Sequence, residues 1–99
     1  YPAYEAVLSE LVASSSVPPL ESLISASADE FHRDRWKSFA LAWSLARLLI
    51  ESDDPEVAGR VPRLVRGLIG DPWEAFCAVY DEELVERRWR EALAVLAAH

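Results

Sequence analysis

The chain has 99 residues, 52% of them hydrophobic and 27% charged, with seventeen acids against ten bases for a net charge of −7. That length holds one domain, which buries roughly two-thirds of its unfolded surface and has no room for a large enclosed active site. The composition is too apolar for disorder, and no apolar run approaches the ~20 residues that cross a bilayer, so membrane insertion is excluded.

Residues 2–13 place Tyr4, Val7, Leu8, Leu11 and Val12 on one helical face, with Glu5 and Glu10 opposite. Ser14, Ser15 and Ser16 end that helix. Pro18 and Pro19 open a short helical piece carrying Leu20, Leu23 and Ile24, because proline suits a first turn that lacks partners for its N–H groups. Ser27 and Glu30 are spaced as a capping box before a second short piece through Phe31.

Asp34 is placed to cap the main helix, expected from Arg35 to about Glu51. Trp36, Phe39, Ala40, Trp43, Ala46 and Ile50 form one apolar stripe, and Leu41, Leu45, Leu48 and Leu49 form another. A helix apolar over most of its girth belongs at the centre of a bundle. After a turn at 52–55, a further helix is expected to reach Ile69, with Val57, Val61, Leu64, Val65, Leu68 and Ile69 on one face. Pro62 should kink or restart it, since an interior proline costs ~3 kcal/mol, and Gly70 is placed to end it.

Asp71 and Pro72 start a short helix bearing Trp73, Phe76, Cys77 and Tyr80. Asp81 caps the last helix, whose buried stripe is Val85, Trp89, Ala92, Leu93 and Leu96. Glu83 with Arg87, Glu86 with Arg90, and Arg87 with Glu91 are spaced as ion pairs on its wet side. No stretch alternates with period two. The expectation is therefore all-α: an irregular bundle of about four longer helices plus two or three short ones, no sheet, and a single helical domain over 1–99.

Chemistry is sparsely equipped. The acidic balance and the absence of Asn and Gln argue against nucleic acid as a partner. Arg60, Arg63 and Arg66 form a basic run, as do Arg87, Arg88 and Arg90, and both read as solvated helix faces. Cys77 is the lone cysteine, so no intrachain disulfide forms, and its aromatic neighbours point to a small buried hydrophobe. Asp29 and His32 stand one turn apart but lack further ligands, and no His-Glu-x-x-His or glycine-rich phosphate loop occurs. Ser14 to Ser16, Asp53 with Asp54, and Glu82 with Glu83 have turn and capping work. The four tryptophans fall on apolar stripes, which assigns them to the core. The residues thus nominate no catalytic, cofactor or metal site.

The order Pro18-Pro19-Leu20-Glu21-Ser22-Leu23-Ile24, Ser27-Ala28-Asp29-Glu30-Phe31 and Phe39-Ala40-Leu41-Ala42-Trp43-Ser44-Leu45-Ala46-Arg47-Leu48-Leu49 resembles a helical region of bacterial peptidase-MA-like proteins. These are gluzincin-type zinc metallopeptidase homologues, and the region lies downstream of their catalytic site. Leu84-Val85-Glu86-Arg87-Arg88-Trp89 is similar to their Leu-x-x-x-Trp element, one residue longer. The resemblance is strongest over 18–50 and 73–93. It implies that zinc and its ligands belong to a zincin core upstream, and that this region packs beside the core as one wall of the substrate cleft. Phe39, Leu41 and Ala42 stand where relatives often carry Tyr, Gln and Ser, so hydrogen bonds from those positions are lost.

The absence of Met adds the expectation that this domain is cut from a longer chain. Its expected role is non-catalytic, structural or cleft-forming, with the rest of the parent chain as partner. The alternative expectation is a stand-alone helical module for protein–protein interaction, marked by a contiguous exposed apolar patch.

Overall fold

Short polar side chains set most of the helix starts. In the computed structural model, which describes residues 2–98, the Ser27 hydroxyl accepts from the Glu30 amide at 3.2 Å. The Ser27 hydroxyl in turn donates to Glu30 Oε1 at 3.1 Å, where a full capping box would have the Ser27 backbone N–H donate, so the box is half made. Asp34 accepts from the Lys37 amide, Asp71 from the Trp73 amide, and Asp81 from the amides of Glu83 and Leu84. Each such cap typically contributes ~1 kcal/mol.

Seven helices result among the described residues, and no strand: α1 (Pro2–Ala13), α2 (Leu20–Ile24), α3 (Ala28–Arg33), α4 (Arg35–Glu51), α5 (Val61–Arg66), α6 (Pro72–Val79) and α7 (Glu82–Ala97). The fold is all-α. Helices α1, α4 and α7 pack mutually as the central trio. Against them lie α2 and α3, both on α4, while α6 carries α5 and touches α2. Leu8 and Leu11 of α1, Leu41, Leu45 and Leu49 of α4, and Val85, Trp89 and Leu93 of α7 make the centre of the core. Leu20, Val57, Phe76, Val79 and Tyr80 extend it under the small helices.

Serine, not glycine, turns the chain after α1. Ser15 takes a φ of 54°, the Ser16 amide reaches back to Leu11 O at 2.8 Å, and the Ser15 amide reaches Val12 O at 3.1 Å. That is the Schellman pattern with a side chain at its left-handed position.

The long helix expected over 55–69 does not form. Residues 55–59 make an isolated turn in which Asp54 O accepts from the amides of Val57 and Ala58. Gly59 then adopts a φ of +74°, which breaks the helical path. Pro62 falls in the first turn of α5, where its missing N–H costs nothing. Gly67 ends α5, and Gly70, at φ +90°, instead shapes the bend before Asp71. The shared apolar face dissolves accordingly: Val57 is buried, Val61 and Leu64 are half-buried, and Val65, Leu68 and Ile69 are exposed. Four longer helices are still present, because eight-residue α6 takes the place of the broken one.

Two other expectations change. Helix α4 is not wrapped on all sides: Trp36 and Ile50 on its outer face are exposed. On α7, Ala92 is exposed, and Glu86–Arg90 forms at 3.5 Å. In place of the two pairs expected through Arg87, Arg88 reaches Glu91 at 3.3 Å and Asp54 at 3.5 Å.

Candidate functional site

Trp36, Phe39, Trp43, Ala46 and Ile50 follow the alternating three- and four-residue spacing of a helix–helix seam. Among the described residues that seam is covered only in part, by Tyr4 of α1 and Phe31 of α3. Trp36 is 63% exposed and Ile50 is 70% exposed, Phe39 and Ala46 are exposed, and only Trp43 is half-buried. The assignment of all four tryptophans to the core is thereby corrected. Trp89 is fully buried and Trp73 half-buried, but Trp36 sits in the first turn of α4, where the ring of Tyr4 meets it at one edge.

Aromatic contacts hold the stripe in place. Tyr4 lies 6.5 Å from Trp36 and 5.8 Å from Trp43, ring centre to ring centre, and Phe31 of α3 meets Phe39 edge-on at 5.1 Å. Towards the C-terminal end of α4, the Arg47 guanidinium stands over the Trp43 ring at 5.4 Å while pairing with Glu51 at 3.0 Å. Beyond that pair a groove of about 420 Å³ opens between α4 and α7, lined by Trp43, Leu48, Leu93, Val95 and Leu96. Trp43 borders both stripe and groove, and Ser44, Arg47, Glu51 and Ser52 add polar groups to the groove's lining.

Chemistry-bearing residues lie elsewhere and do not converge. Asp29 and His32 are exposed on α3, where the His32 ring packs edge-on to Phe31, and no group of three or more metal-ligating side chains occurs among the described residues. Ser14 bonds to Glu10 O and to the Ser16 hydroxyl, both at 2.9 Å. Asp54 accepts from the Glu56 amide at 2.9 Å. The Cys77 thiol is half-buried, and burial, followed by the negative charges of Glu82, Glu21 and Asp71, pushes its pKa above the ordinary 9.0. That is the opposite of an activated nucleophile.

Sequence reasoning missed four hydrogen bonds between distant elements among the described residues. Trp89 Nε1 donates to Ser44 Oγ, Leu20 N donates to Glu86 Oε2, Arg60 Nη1 donates to Val79 O at the end of α6, and Arg90 Nη2 donates to Pro18 O. A signal was present in the first two cases. A core tryptophan needs an acceptor for its N–H, and a helix opened by Pro19 has no capping side chain of its own.

Comparisons with protein-family models, with curated proteins and with solved structures found no match to this chain.

Proposed function

We propose that this domain works by docking and performs no chemistry of its own: the outer stripe of α4 is the surface on which another part of its parent protein sits. The observation that carries this reading is the seam itself, large aromatic and aliphatic side chains at helix-packing spacing with Trp36 and Ile50 left in water. Fully burying one such side chain is worth roughly 1.5–3 kcal/mol, so a covering surface has a driving force waiting for it. The resemblance over 18–50 and 73–93 suggests the zincin-like core of a peptidase-MA-like parent as that surface, with this domain as a wall of its cleft. Zinc would then belong to the core and not to this domain.

Hydroxyl-radical footprinting of this domain alone and within its longer parent chain tests the reading. Trp36 and Phe39 should react several-fold more slowly in the longer chain, and a His-Glu-x-x-His motif should lie upstream. Equal reactivity in both would remove the intramolecular reading and leave a module that binds a separate protein. A parent with no zincin-like region would remove the zincin core as the occupant.

A further inference from the structure

A second surface stands apart from the α4 stripe. From Val57 to Gly70 the sequence holds three arginines and no acid. The segment carries +3 in a chain of net charge −7, so the remainder carries −10. Arg60 is committed inside the fold through its bond to Val79 O at 2.8 Å. Arg63 and Arg66 are exposed and enter no ion pair among the described residues. Standing three residues apart on α5, they share its outer face. Beside them Val65 and Leu68 are exposed, and Ile69, at 88%, is the most exposed of the large apolar side chains. Gly67 ends the helix and Gly70, at φ +90°, turns the chain back, so Leu68 and Ile69 are held out at the tip of a knuckle.

We propose that this knuckle, Arg63 and Arg66 with Val65, Leu68 and Ile69, binds an acidic, aliphatic segment of a partner protein. Two guanidiniums within one turn offer forked donors to carboxylates, and the aliphatic tip supplies the apolar contact beside them. Among the described residues, exposed arginines outside any ion pair also occur at Arg33, Arg35 and Arg87, so what sets this face apart is the three exposed aliphatic side chains held beside Arg63 and Arg66. The charge distribution also selects among anionic occupants. A flat anionic membrane acts on every charge within a Debye length of about 8–10 Å, and Glu56, Asp71 and Glu74 flank the knuckle closely in sequence and are exposed. Membrane-binding basic clusters usually hold about 4–8 cations, against two free ones here. A protein segment can present its carboxylates opposite Arg63 and Arg66 alone.

Panning a random-peptide phage library on the immobilised domain tests the proposal. The enriched peptides should combine Asp or Glu with Leu, Ile or Val. Once synthesised, such a peptide should bind the double variant R63E/R66E at least about tenfold more weakly, which is a loss of about 1.4 kcal/mol. L68S/I69S should weaken it several-fold, and W36S should leave it unchanged. Both double variants alter exposed side chains, and circular dichroism checks that they fold. No enrichment, or enriched peptides indifferent to R63E/R66E, overturns the proposal. Dependence on Trp36 instead would credit the α4 stripe and leave the docking reading standing without the knuckle. Sedimentation with phosphatidylserine vesicles, or a concentration-dependent mass, that R63E/R66E abolishes would overturn it in favour of a membrane or a second copy.

Discussion

The indole N–H of Trp89, at the centre of the core, donates to the hydroxyl of Ser44 at 2.8 Å, and that hydroxyl donates in turn to Leu41 O at 2.7 Å. A relay of two bonds thus ties α7 to α4 where no water reaches Trp89. Removing the acceptor leaves a buried donor unpaired, which costs about 1–3 kcal/mol. Ser44→Ala should destabilise the domain by that amount in urea denaturation. In a Trp89→Phe background the same change should cost clearly less, because the donor is already gone. Equal costs in both backgrounds would show that the Ser44 hydroxyl matters only for its own turn.

Glu86 performs a cap from across the fold. Its Oε2 accepts from the Leu20 amide at 2.7 Å, and Arg90, paired with the same carboxylate at 3.5 Å, donates to Pro18 O at 3.0 Å. Two side chains of α7 therefore grip the chain on either side of Pro19, at the Pro18 carbonyl and the Leu20 amide where α2 begins. Glu86→Ala should cost about 1–2 kcal/mol, between an ordinary cap and a charge-assisted hydrogen bond. Hydrogen exchange at the Leu20 amide should accelerate roughly tenfold or more. Unchanged exchange at Leu20, with or without a stability loss, would mean that α2 is held by Leu20 packing alone.

Ser15 holds a φ of 54° with a side chain attached. Glycine adopts that region at no steric cost, whereas other residues carry a penalty of about 1–2 kcal/mol. Ser15→Gly gives back part of this gain through the freedom it adds to the unfolded chain, so the net should be a stabilisation of about 0.5–1 kcal/mol. A domain of this size should then melt about 2–6 °C higher by circular dichroism. A lower melting temperature would show that the Ser15 side chain contributes contacts outweighing its strain.

What the sequence makes legible follows the range of the forces involved. The caps at Ser27, Asp34, Asp71 and Asp81 act within three residues, and each starts its helix where the spacing places it. The break at 55–61 was harder to read, because Val57, Val61, Leu64, Leu68 and Ile69 keep helical period straight through Gly59 and Pro62. Periodicity reports that a face is apolar without reporting whether anything covers it, and this is why Trp36 and Ile50 read as core. The bonds Trp89–Ser44 and Leu20–Glu86 join residues 45 and 66 positions apart, which no local pattern encodes. The basic run at Arg60, Arg63 and Arg66 was visible as a run. Its division into one arginine committed to Val79 O and two left free needed the fold.

Tyr80 gives the domain a stability that depends on pH. Its phenol is buried with no hydrogen-bond partner for the oxygen among the described residues, and it stacks on Phe76 at 4.8 Å. Burial raises its pKa above the ordinary 10.0, and the Arg60 charge offsets only part of that rise. The folded state therefore holds the phenolic proton more tightly than the unfolded chain does. The resulting stability is complete below pH 10 and is lost as pH rises through the higher folded value. Cys77 shifts in the same direction, so the comparison belongs in a Cys77→Ala background. There, urea denaturation should show stability falling from pH 8 to pH values above 10, and Tyr80→Phe should flatten that fall. Near neutral pH, Tyr80→Phe should be neutral or stabilising by up to about 1 kcal/mol, since it deletes a hydroxyl that is desolvated without compensation. A loss of more than about 1 kcal/mol at neutral pH would instead reveal a partner for that hydroxyl, because an unmatched group has no hydrogen bond to lose.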